Sequence, residues 1–118
     1  MRPPGGLGGL PNAELATIEE RKITRYLLDP GHPDGKSKAK FYLSHGYHPG
    51  DWRRLADDLL EHAARWPVDK ITPQGFGLVY SVEGPIEMPD GQTREIRSVW
   101  IIKHGEVVPL FVTGYYFG

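Results

Sequence analysis

The chain has 118 residues, enough for one hydrophobic core and too few for two. It contains no cysteine, which excludes a disulfide framework and thiolate chemistry, and its formal net charge of −1 excludes nucleic-acid binding through a global positive field, so such a ligand would need a local basic patch. The longest apolar runs are a few residues, and "MRPPGGLGGLPN" lacks the continuous apolar core of a signal peptide, so the reading is of a soluble chain with no membrane partner, compatible with the cytoplasm.

The 15 glycines and 11 prolines concentrate in the first twelve residues and at turns. Residues 1–12 are predicted to be a flexible lead, because glycine raises chain entropy and proline withholds amide donors, and residues 13–118 are predicted to be a single α+β domain. "ELATIEE" reads either as a short extended piece or as a helix start with Thr17 and Glu20 in a capping box. A helix follows, with Ile23, Tyr26 and Leu27 on one face, and Pro30 ends it by forcing Asp29 out of the α region. A second helix is predicted from about Lys36 to His45, stopping at Gly46, whose missing Cβ suits a left-handed residue. The third is the clearest: Trp52, Leu55, Ala56, Leu59, Ala63 and Trp66 recur at helical spacing and Pro67 closes the run. Trp52, Leu55, Leu59 and Ala63 are expected to be buried against a sheet.

Beyond Pro67 the pattern alternates. "FGLVYSVEG", "TREIRSVWIIK" and "VVPLFVTGYYF" read as strands, "MPDGQ" and "KHGE" as the turns between them, and "DKIT" as a further strand. Helices followed by strands, without alternation, predict about three N-terminal helices packed on a three- to four-stranded antiparallel meander.

The polar residues with chemical potential are few. His32 sits in the turn "GHPDG", where Pro33 and Gly35 fix the backbone; this makes it either an exposed turn residue or an imidazole positioned for proton transfer. In "KSKAK", Lys36 and Lys40 share a helix face and Lys38 points elsewhere; three lysines at a helix start suit a phosphate, or simply a solvated face. His45 and His48 in "HGYH" lie in a glycine- and proline-rich loop without fixed ligand geometry, so no metal site is expected. On the strands, Arg97 is placed to pair with Glu95 or Glu83, and Thr113 lies inside an apolar run where its hydroxyl needs a partner or a task.

The phrases "YLLDPGHPDGKSKAKFY", "SVWIIKHGE" and "PLFVTGYY" resemble a bacterial domain family of unknown function, DUF6883, over nearly all of residues 11–117. More distantly, helices followed by a four-stranded antiparallel sheet, with a histidine and lysine ahead of the sheet and a threonine on the last strand, look like the barnase, EndoU, colicin D and RelE group of metal-independent ribonuclease toxins. That resemblance implies RNA cleavage by 2′-OH transesterification with no cofactor, His32 as general base or acid, Lys38 and Arg97 as phosphate and transition-state clamps, and Thr113 as an orienting hydroxyl. Lys36 and Lys40 would add phosphate contacts, Lys40 also standing as the alternate to Lys38. Trp100, Tyr115 or Tyr116 would stack an unpaired base, or else serve the core. Toxin domains of this kind imply RNA and a cognate antitoxin or immunity protein as partners, and delivery as the C-terminal domain of a larger secreted protein. The alternative is a non-catalytic partner-binding module, antitoxin- or immunity-like, in which the histidine turn is structural.

Overall fold

The computed structural model describes residues 8–118, so the part of the expected lead on residues 1–7 lies outside the described residues. A short 3-10 turn, Ala13–Leu15, opens the described chain. Helix α1, Glu20–Lys22, runs directly into a wider π turn, Ile23–Leu27; α2 spans Lys36–Ser44 and α3 spans Trp52–Arg65. Four strands follow, β1 Val68–Gln74, β2 Gly77–Glu87, β3 Thr93–Lys103 and β4 Leu110–Tyr116, antiparallel in the order β1-β2-β3-β4. The architecture is the α+β meander that the pattern predicted.

Helix α3 forms because its apolar positions share one stripe. Leu55, Ala56, Leu59, His62 and Ala63 are buried, while Arg53, Arg54, Asp57 and Glu61 are exposed. Trp52 departs from expectation: it is half-exposed at the rim, with the Arg53 guanidinium 5.2 Å from its ring centroid. The sheet face that receives the helices carries Tyr80, Val82 and Ile86 from β2, Ile96 and Trp100 from β3 and Phe111 from β4, all buried. The period-two alternation of strands sends Glu83, Arg97 and Tyr115, which are register partners, to the other face. Ser81, Val99 and Thr113 form the next row on that face.

One polar seam crosses the core. His62 places Nε2 2.9 Å from the Ile96 carbonyl and 3.1 Å from the Gly84 carbonyl, and Nδ1 2.9 Å from Ser98 Oγ. Two carbonyls can only accept, so the ring proton is on Nε2 and Ser98 donates to Nδ1, while Ser98 Oγ accepts from Trp100 Nε1 at 2.8 Å. Every polar atom in this buried chain is partnered with the imidazole neutral.

Two local expectations change. Thr17 makes no capping box: its amide donates to the Pro109 carbonyl and its carbonyl accepts from the Phe111 amide, so residues 16–19, between the 3-10 turn and α1, follow the extended alternative, with Thr17 bridged to the outer edge of β4. Packing also begins upstream of Ala13. Leu10 is buried in the core cluster, and the Gly8 carbonyl accepts from the Val68 amide at 2.7 Å. At the end of α2, Gly46 takes the expected left-handed conformation at φ 100°.

Candidate functional site

The site is built where α1, the histidine turn and α2 meet the β4 edge. In the π turn the Leu28 amide bonds the Ile23 carbonyl five residues back. The widened turn leaves Ile23 and Leu27 in the core but sets Tyr26 half-buried at the rim, its hydroxyl 2.9 Å from Thr113 Oγ1. On β4 the register slips between Val99 and Trp100, which face Thr113 and Phe111 respectively, so Val112 is the extra residue of a bulge. Its freed carbonyl meets Lys22 Nζ at 3.5 Å.

His32 holds its own turn together. Its Nδ1 accepts from the amides of Asp34 at 3.0 Å and Gly35 at 3.1 Å, the pattern of a side-chain cap at the approach to α2. Since both amides donate, the ring proton sits on Nε2, and His32 presents a fixed N–H donor rather than a free lone pair. Its ring lies edge-on to Tyr26, centroids 5.0 Å apart. Gly35 tolerates no side chain here, because a Cβ would collide with the Tyr26 backbone carbonyl.

His32 and Thr113 line one open groove of about 550 Å³ together with Arg21, Lys22, Arg25, Tyr26, Asp34 and Val112. Lys38 flanks it, Nζ 5.4 Å from the Tyr26 ring centroid and 6.0 Å from that of Tyr115. Arg97 stands further along the same sheet face and not among the lining residues. Its Nε and Nη2 bond Glu83 Oε2, the former at 2.6 Å, and Nη1 donates to the Tyr115 hydroxyl at 3.1 Å. The pairing with Glu83 is one of the two that register could give, and both partners together hold the guanidinium charge above its ordinary pKa.

Other expectations separate from this cluster. Trp100 cannot stack an RNA base: it is fully buried, packed edge-on against Phe111 and tied to Ser98, on the face opposite Tyr115. Lys36 and Lys40 are exposed on α2, pointing away from Lys38 as helical geometry requires. Tyr116 turns to the helix side and stacks on Phe41 at 5.1 Å. His45 bonds Asp90 Oδ2 at 2.8 Å, joining α2 to the β2–β3 turn. Among the described residues no group of three His, Cys, Asp or Glu side chains converges to hold a metal, and no helix is long and apolar enough to cross a membrane.

Sequence reasoning missed Tyr26, Lys22, Arg21 and Arg25 as site residues. Tyr26 reads as core by its spacing from Ile23, and only the π turn moves it to the rim. The three cations gave a faint signal, since "ERKITR" puts Arg21, Lys22 and Arg25 within five residues.

The family model of DUF6883, a domain of unknown function, matches residues 9–118, and the chain belongs to that family. No curated protein matches it. Among solved structures it is similar to a chain of a contact-dependent growth inhibition toxin–immunity protein complex from Klebsiella pneumoniae 342, with a TM-score of 0.68 at 14% identity, covering 86% of this chain and 100% of that one. At that identity the likeness is one of fold.

Proposed function

We propose that this DUF6883 protein is the toxin-type component of a toxin–partner system, a metal-independent endoribonuclease that cleaves RNA by 2′-OH transesterification at the β4-edge groove. The observation that carries the reading is the meeting of His32 and Thr113 in one groove with Arg21, Lys22 and Arg25, flanked by Lys38. The fold likeness to a chain of a toxin–immunity complex supports the toxin-system part of the proposal. A cognate immunity or antitoxin protein is then the expected protein partner.

RNA carries its own nucleophile, so the site must hold the phosphate and stabilise charge as the 2′-oxygen bonds phosphorus and the 5′-oxygen departs. The groove is rich in donors for that purpose. His32 offers Nε2–H, the Tyr26–Thr113 pair has one hydroxyl proton left after its mutual bond, and the ammonium and guanidinium groups supply positive charge. Asp34, the one carboxylate among the lining residues, accepts the 2′ proton, and the departing 5′-oxygen is protonated from solvent. His32 thus acts by hydrogen-bond donation rather than as the general base or acid that the ribonuclease resemblance implied.

Purified protein incubated with single-stranded RNA is expected to yield 2′,3′-cyclic phosphate ends, with chelator present. His32→Asn separates chemistry from capping. An Asn side-chain oxygen can accept the same two amides, so the melting temperature should hold, whereas loss of the Nε2 donor should lower cleavage about 100-fold. Cleavage by His32→Asn at the wild-type rate would remove His32 from the chemistry. A wild type that cleaves no RNA but binds a protein partner tightly would transfer the assignment to the partner-binding module.

A further inference from the structure

The sheet face beside the groove continues the pattern of cations against rings. Arg97 lies between two aromatic side chains, its guanidinium carbon 5.6 Å from the Tyr115 ring centroid and 4.8 Å from that of Phe117. The Phe117 amide donates to the Glu95 carbonyl at 3.2 Å, which extends the β4 pairing by one residue and puts Phe117 on the same face as Tyr115. Lys38 connects this row to the groove through its positions over Tyr115 and Tyr26. Three of the guanidinium's five N–H donors are used on Glu83 and Tyr115, which leaves two for a ligand. Along the track Lys22, Arg25, Lys38 and Arg97 place cationic groups beside the rings, while Arg21 is paired with Glu19 at 2.8 Å and Asp34, Glu83 and Glu95 lie among them, so the positive charge is offered side chain by side chain and not as a net field.

We propose that this face is a base-stacking platform for single-stranded RNA, in which an unpaired base stacks on Phe117 and Arg97 backs the ring and holds the adjoining phosphate. The inference rests on the ribonuclease reading and specifies its substrate as single-stranded. Sequence-tolerant binding of this kind needs ring faces for bases and cations spaced between them for the backbone. A duplex offers no free base face to such a ring. Phe117 is half-exposed on the face of Tyr115 and Arg97, whereas Trp100 is fully buried and Tyr116, though exposed, stacks on Phe41 on the opposite face.

The test uses a 2′-O-methyl RNA oligonucleotide, which has no nucleophile, carrying 2-aminopurine, whose fluorescence falls when the base stacks on an aromatic ring. Wild type should quench it and should prefer it to the same sequence in a duplex. Phe117→Leu, similar in volume but without a ring, should bind about tenfold more weakly and lose the quench, and Phe117→Tyr should retain both. Unchanged affinity and quench in Phe117→Leu, or duplex bound as tightly as single strand, would overturn the platform while leaving cleavage at the groove standing. Failure of wild type both to bind the oligonucleotide and to cleave RNA would overturn the platform and the ribonuclease reading together.

Discussion

Two histidines show how a ring nitrogen's partner decides what the residue can do. His32 uses Nδ1 to cap a turn and keeps Nε2–H at the groove; His62 has both nitrogens committed inside the core. Burial pushes the His62 pKa below its ordinary value, outweighing the two carbonyls that favour the charged form. The sign follows from proton counting. Above about pH 6.5 the ring is neutral in both folded and unfolded chains, and stability does not depend on it. As pH falls through that value the unfolded chain takes up a proton that the folded one refuses, so stability is lost down to the lowered folded pKa. Thermal unfolding should therefore fall between pH 7 and 5.5 in wild type and fall less in His62→Gln, each compared with its own value at pH 7. Equal pH slopes in the two proteins would show that His62 is not the titrating group. In the sequence His62 sits unremarked on the apolar stripe of α3, because spacing reveals a buried position but not the Ser98 hydroxyl and two carbonyls that make it habitable.

At the level of elements, periodicity carries far. The α3 stripe, the alternation in β2 and β3 and the glycine turns of the meander are all local signals, and each strand pairs in the order the turns imply. What local signals do not contain is the close approach of one element to another. Gly84 lies mid-strand in β2, where a glycine weakens a strand without obvious return. The return is the Trp66 indole, which lies where a Cβ at Gly84 would be and donates from Nε1 to the Pro85 carbonyl at 3.2 Å. Gly84→Ala should destabilise by about 1–3 kcal/mol, the usual range for overpacking, in a denaturant titration that leaves the m-value unchanged. A wild-type midpoint would mean that Trp66 moves aside freely. The candidate site was half legible for the same reason. His32, Lys38 and Thr113 stand out by type and position, but Tyr26 needs the π turn and Val112 needs the bulge, and both irregularities break the periods from which a sequence is read.

The whole molecule is closed by a segment whose first part, up to Asn12, composition alone assigns to a flexible lead. Between Gly8 and Thr17 the chain bonds the first strand at Val68, buries Leu10 in the core, sends Asn12 Nδ2 to the Val107 carbonyl at 3.1 Å, and pairs with the last strand at Phe111. It therefore ties both edge strands of the sheet, and one of those edges is the floor of the groove. This makes Leu10 a core residue of the domain in energetic terms. Leu10→Ala should cost about 2–5 kcal/mol, in the range of a buried leucine such as Leu59, and far more than a substitution in a solvated tail. Hydrogen exchange gives the sharper readout, because the amides of Val68 and Phe111 each donate to this segment from opposite edges of the sheet. If the segment is one strap, loss of the Leu10 anchor should speed exchange at both amides together while amides inside β2 and β3 stay protected. Faster exchange at Val68 with Phe111 unchanged would divide the segment into two independent contacts and leave the groove's edge held by Thr17 alone.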